Sequence, residues 1–196
     1  MSPGLPVRAT GVLAAAAVAA LLLTSVLDRP PARDLVVTPA PYVEQLPAAP
    51  DPFPGGDGAC TVPDPTGTGG CVTAATSWLL TELGSAFGEL RVSCWSEHAW
   101  NPASAHPDGR ACDVFPGRSG VVPESEEAAA GWHVAEWARE NAAALEVEHV
   151  IWWGRIWSRA RPAAGWAPYR GGGVYDVSDP TGGHYDHVHI SVREDA

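Results

Sequence analysis

Ser104 to Asp113 reads SAHPDGRACD and His184 to His189 reads HYDHVH, and these two segments concentrate the side chains able to hold a metal ion. Catalytic zinc is commonly bound by three side chains drawn from His, Asp, Glu and Cys, with a fourth position left for water or substrate. His106, Asp113 and His189 would make such a set. On a strand, side chains two apart share a face, so His187 and His189 point one way and His184 and Asp186 the other, unless the strand begins late. That geometry suits a ligand beside a catalytic neighbour, and it equally suits an ordinary surface. His98, His133 and His149 stand alone in the sequence and read as structural or exposed histidines.

The elements around these segments must bring them together. Leu79, Leu80, Leu83 and Phe87 recur at helical spacing from Thr73, and Gly88 stops the run, so a packing helix is expected there. Glu89 to Trp95 alternates as a strand. Asn101 and Pro102 make Trp100 to His106 a loop, and Asp108 and Gly109 form a turn before a short strand, Ala111 to Phe115. That turn folds His106 back over Asp113. Pro123 opens a second helix, acidic in its first turn through Glu124, Glu126 and Glu127 and expected to reach about Leu145. Trp132 and Trp137 on it read as core. Val147 to Trp153 and Arg155 to Ser158 form a strand pair or one strand bent at Gly154. Arg159 to Pro180 is a long Gly- and Pro-rich loop, either functional or a loose insertion. His184 to Val192 is the last strand.

Residues 9–27 carry no charge, and as a helix they would span about 28 Å, roughly the hydrocarbon thickness of a bilayer. They read as a signal peptide or signal anchor behind a cytoplasmic 1–8, and the lack of small residues after the apolar run favours the anchor. Residues 28–59 are a Pro-rich linker, and 60–196 are the domain. The protein is therefore expected outside the cytoplasm, anchored or secreted. All twelve basic residues are Arg, and the net charge of -11 argues against a nucleic-acid partner.

Four cysteines suit an exported protein. Cys60 and Cys71 bracket a loop that cannot order itself by core burial, which pairs them and leaves Cys94 with Cys112. A zinc thiolate at Cys112 is the competing reading, but alternation sets Cys112 on the face opposite Asp113.

Ser104, His106, Gly109, Ala111 and Asp113 fill every fixed position of SxHxxGxAxD, which resembles the zinc motif of D-alanyl-D-alanine carboxypeptidases and dipeptidases. These enzymes are grouped with lysostaphin-type endopeptidases, penicillin-insensitive murein endopeptidase and the hedgehog domain. His184, His187 and His189 fit HxxHxH, similar to the murein endopeptidase. With the IWWGRIWS run, the chain most resembles a C-terminal domain family of exported actinomycete proteins in or near this group. The resemblance implies that His106, Asp113 and His189 ligate zinc and that His187 is the catalytic imidazole. The carboxypeptidase branch has Glu where this chain has Asp186, so either Asp186 is the base or it orients a neighbour and His187 is the base. His184 is an auxiliary or a hydrogen-bond partner. Ser104 supports the ligands, since no base is placed to activate it as a nucleophile. Arg91 could bind a substrate carboxylate or the oxyanion, as an arginine does in the carboxypeptidases.

The expectation is an α+β domain with a central antiparallel sheet and flanking helices, hedgehog/D-Ala-D-Ala peptidase-like, acting as a zinc peptidase on peptidoglycan peptides. The competing expectation is a binding module at the cell surface that does not cut, with recognition around Trp166 and Tyr169.

Overall fold

A computed structural model describes residues 45–196. The apolar run 9–27, residues 1–8 and the first part of the linker lie outside the described residues. No helix among the described residues is long and apolar enough to cross a membrane.

Two short strands, β1 (Val62–Pro63) and β2 (Cys71–Val72), pair antiparallel, and the Cys60–Cys71 disulfide ties the end of β2 to the segment before β1. In the turn between them, Asp64 accepts hydrogen bonds from the Thr66 and Trp95 N–H groups and the Thr66 and Thr68 hydroxyls. Helix α1 (Ala74–Phe87) begins where the Thr73 hydroxyl accepts from the Thr76 N–H, and ends at Gly88, whose φ of 76° most side chains disfavour. Strands β3 (Arg91–Ser93) and β4 (Ala111–Phe115) follow. Helix α2 (Ser125–Glu140) opens with a capping box between Glu124 and Glu127. It stops before Leu145 because Asn141 caps it, its side-chain amide donating to the Trp137 carbonyl.

Strands β5 (Val147–Trp152) and β6 (Arg155–Ser158) form a hairpin, so the chain reverses at Gly154 rather than bending. Trp153 and Gly154 both have positive φ, 52° and 68°, as a two-residue hairpin loop requires. The long loop after it is organised, with 3-10 turns at Pro162–Ala164 and Gly171–Gly173 and a short strand β7 (Ala167–Pro168). Strand β8 is Val188–Val192, four residues shorter at its start than the sequence pattern suggests. The reason is local: His184 has φ 55°, and the His184 and Gly183 carbonyls accept from the Trp153 and Gly154 N–H groups, so this stretch is bound to the hairpin turn instead of a neighbouring strand.

The result is a mixed α/β fold with one six-stranded antiparallel sheet in the order β3-β4-β8-β5-β6-β7. Both helices contribute to one core on one sheet face. Leu79 and Leu83 of α1 and Trp132, Ala135 and Trp137 of α2 join Val114, Val150, Trp152, Val188, Ile190 and Val192 there. Each large side chain so buried contributes about 1.5–3 kcal/mol. A register shift between Val147 and His149 lets Val147 face the core with Val150. Residues 46–53, which the sequence pattern assigns to the linker, also lie against this core: Leu46 and Phe53 pack on it, and the Trp137 indole donates to the Ala48 carbonyl at 3.1 Å. The opposite sheet face carries Asp113, His189, Ser191, His149, Ile151 and Ile156, and it floors a pocket.

Candidate metal centre

Asp113 in β4 and His189 in β8 are register partners, which places a carboxylate beside an imidazole on the pocket face. His106 reaches them from the loop before β4. There the Gly109 N–H donates to the His106 carbonyl and the Arg110 N–H to the Ala105 carbonyl, closing a tight turn. Gly109 needs its φ of 67°, and a Cβ on it would meet Cys60 Sγ and the Cys71 carbonyl, each at 2.5 Å. The motif's glycine is therefore required by both conformation and space.

One donor atom from each of His106, Asp113 and His189 lies within 4.8 Å of the others. His106 Nε2 is 3.3 Å from His189 Nδ1 and 3.4 Å from Asp113 Oδ1, and His189 Nδ1 is 3.0 Å from Asp113 Oδ1. Two ligand atoms on a tetrahedral zinc at ordinary bond lengths stand about 3.3 Å apart. The donor types and their spacing fit such an ion. The outer nitrogens are also occupied: His106 Nδ1 meets the Cys94 carbonyl, and His189 Nε2 meets Ser191 Oγ at 2.9 Å. Partners of that kind fix the tautomer and ring direction of metal-binding imidazoles.

Next to this trio, His187 Nε2 stands 3.6 Å from Asp113 Oδ1, and its Nδ1 is 2.7 Å from Asp186 Oδ1. Asp186 is fully buried. Its other oxygen accepts from the Gly120 N–H at 2.5 Å and the Thr181 hydroxyl at 2.9 Å. Both carboxylate oxygens are thereby engaged.

The electrostatics follow from this packing. Burial alone would raise the Asp113 pKa, but His187 and His106 outweigh it and hold the carboxyl well below its usual range. Burial alone would lower His106 and His187; Asp113, helped at His187 by Asp186, raises both instead. At His189 burial prevails and the pKa falls. His184 is pushed well below its ordinary value by burial and by His187 and His189. Burial pushes the Tyr169 phenol up to about 12.

Residues 68–185 match the family model of the VldE C-terminal domain. The chain belongs to that family. No curated protein and no solved structure matches it. The match to the VldE C-terminal domain includes His106 and Asp113 and ends at Tyr185, so Asp186, His187 and His189 lie just beyond it.

Of the residues singled out from sequence, His106 and Asp113 inside the VldE C-terminal domain match converge with His187 and His189 just beyond it, and Asp186 touches the group through His187. His184 joins them as well, its ring 4.7 Å from that of His187, because β8 starts late and alternation does not yet apply at that point. Ser104 Oγ accepts from the His106 N–H at 3.3 Å. Both disulfides form as paired from sequence, and Cys112 is buried on the core side of β4. Arg91 is not brought to the pocket. It pairs in register with Phe115, two residues past Asp113; its guanidinium lies over the Phe115 ring and donates to the Gly117 carbonyl.

Two histidines set aside from sequence belong to the pocket. His98 stacks on His106 with ring centroids 4.9 Å apart, and His149 stacks on His189 at 5.4 Å. Burial, together with His189 and Arg110, brings the His149 pKa to about 3. No local spacing marks either one. His149 is found only by pairing β5 with β8, where Ile151 opposes His189 and His149 opposes Ser191.

Proposed function

We propose that this chain is an exported zinc metallopeptidase that hydrolyses peptide bonds in the stems or cross-links of cell-wall peptidoglycan, on a hedgehog/D-Ala-D-Ala peptidase-like fold. The observation that carries the reading is the convergence of His106, Asp113 and His189 beside an imidazole whose far nitrogen is held by a buried carboxylate. A zinc ion bound by the trio would supply Lewis acidity, polarising a carbonyl and making water reactive near neutral pH.

His187 is the general base. Asp186 holds Nδ1–H, which leaves the Nε2 lone pair facing the pocket. Nε2 takes a proton from the attacking water and returns one to the leaving nitrogen. Water oxygen forms the new C–O bond as the C–N bond breaks, giving one carboxylate and one amine. Asp186 is an orienting group here, since its oxygens are already engaged and it has no exposed surface. His184 lines the same pocket and offers a hydrogen bond to the developing oxyanion. Two disulfides and no free cysteine among the described residues suit a location outside the cytoplasm. The N-terminal run would tether the chain to the membrane or be removed on export.

A zinc-bearing binding module that does not cut is the second reading, favoured by Trp100, which leaves 61% of its surface exposed at the pocket mouth. Metal analysis of the full chain and of His106→Ala in parallel, followed by fragment release from purified peptidoglycan with and without chelator, separates the two. The expected result is near-stoichiometric zinc lost in the variant, with chelator-sensitive release. Zinc without release from any wall preparation would favour the binding module, and a zinc-free wild type would refute the centre.

A further inference from the structure

We infer that the bond cut at this site is an internal amide, with substrate continuing on both sides, and not one beside a free terminal carboxylate. The inference rests on the peptidase reading above and names its substrate class. An enzyme that trims a terminal residue has to hold that residue's carboxylate within a few ångströms of the scissile carbonyl. Removing a carboxylate from water without a cationic or hydrogen-bonding partner is strongly unfavourable.

Apart from the zinc that the peptidase reading places there, the described residues give this cleft no cationic side chain of lysine or arginine. The protein has no lysine, and among the described residues no arginine lines the pocket. The arginines near the sheet are engaged elsewhere: Arg91 with the Gly117 carbonyl, Arg110 with Asp108 and Glu148, Arg155 with the Trp166 carbonyl, Arg159 with Glu146, and Arg193 with Glu146 and Asp195. Arg170 falls between the lining residues Tyr169 and Gly171 but is exposed and is not part of the wall. The only carboxylate on the pocket wall among the described residues is Asp113, which the peptidase reading assigns to the metal.

On its open side the cleft continues as a neutral wall. The Trp100 indole sets its ring at 83° to that of Tyr175, with centroids 5.3 Å apart, and the Asn101 amide donates to the Tyr175 hydroxyl at 3.0 Å. Val174 beside it is 48% exposed. A preformed aromatic and aliphatic wall of this kind accommodates an uncharged chain running past the scissile bond. Hydrolysis there adds one water and separates two pieces, each retaining more than one residue; no free amino acid is released.

The test uses the full chain with zinc and three substrates: a cross-linked muropeptide dimer with no free carboxylate on the acceptor carbon beside the cross-link, a linear stem peptide with a free terminal carboxylate, and the same peptide C-terminally amidated. The dimer and the amide should be cleaved with kcat/KM at least about ten-fold above the acid. As a readout without turnover, calorimetric titration of the chelator-treated chain with the acid and amide peptides should show tighter binding of the amide. Preferred cleavage or tighter binding of the acid overturns the inference, most sharply if Arg170→Ala removes that preference. Cleavage of none of the three refutes the peptidase reading, while the binding comparison still decides what the cleft accepts.

Discussion

Asp186→Asn isolates the role of the buried carboxylate. Asp186 Oδ2 accepts from two donors, the Gly120 N–H and the Thr181 hydroxyl, and the backbone N–H cannot change its role. The carboxamide oxygen must therefore stay on that side, and its NH2 must replace Oδ1, 2.7 Å from His187 Nδ1. His187 then has to accept at Nδ1 and carry its proton on Nε2, pointing toward Asp113 and the pocket. Losing a positioned general base costs about 10²–10⁴ in rate, or about 3–5 kcal/mol of transition-state stabilisation. Exchanging three charge-assisted hydrogen bonds for neutral ones costs about 1–3 kcal/mol of stability, so the variant should still fold. The assays are zinc stoichiometry, ¹⁵N NMR of the His187 tautomer and turnover on the muropeptide dimer. Full zinc, an Nε2-protonated His187 and turnover lowered at least a hundred-fold are expected. Activity within about three-fold of wild type in a zinc-loaded variant would refute His187 as the base. Loss of zinc would show that Asp186 acts on the ligands instead.

The same structure yields three further expectations. A Cβ at Gly131 in α2 would come within 2.2 Å of the Trp152 ring, so Gly131→Ala should destabilise the domain by about 1–3 kcal/mol, read as a lower urea midpoint with unchanged zinc binding. Unaltered stability would mean that the helix can step away from β5. His149 has a pKa depressed to about 3, so in chelator-treated protein the unfolded chain takes up a proton below about pH 6.5 that the folded state refuses until about pH 3. Relative to His149→Gln, the wild type should lose about 1.4 kcal/mol of stability per pH unit as the pH falls through that window, and parallel urea-midpoint curves would refute this. The Cys94–Cys112 disulfide joins the residue whose carbonyl meets His106 Nδ1 to the residue before Asp113. Replacing both cysteines with Ala should therefore weaken zinc affinity about 10- to 100-fold in competition with a chelator, and unchanged affinity would show that the strands alone hold the ligands.

Much of this domain is written in local pattern. The spacing of Leu79, Leu83 and Phe87 between Thr73 and Gly88 marks α1, and the bounds of β4 follow from a turn at Gly109 and five residues that suit a strand. The disulfide pairing is legible because one loop lacks any other means of ordering. His106, Asp113 and His189 are picked out as a set by residue type and by the resemblance of the two motifs, and the structure brings their donor atoms within 4.8 Å of one another. What local pattern misjudges depends on partners distant in the chain. Alternation describes a strand only while a neighbouring strand pairs with it, and before Val188 the Trp153 and Gly154 N–H groups of the hairpin turn donate to the His184 and Gly183 carbonyls instead, which turns His184 toward the pocket. Arg91 occupies a strand, as expected, but register with Phe115 carries it past the site. Residues 46–53 have linker composition, yet the Trp78 and Trp137 indoles have donors to satisfy and find carbonyls there. Sequence alone marked the two His- and Asp-bearing segments and most of the elements, because both are short-range properties. Only the tertiary structure decided the strand order that stacks His149 on His189, the Gly120 N–H that holds Asp186 and the absence of arginine from the described pocket, because each depends on which distant segments pack face to face.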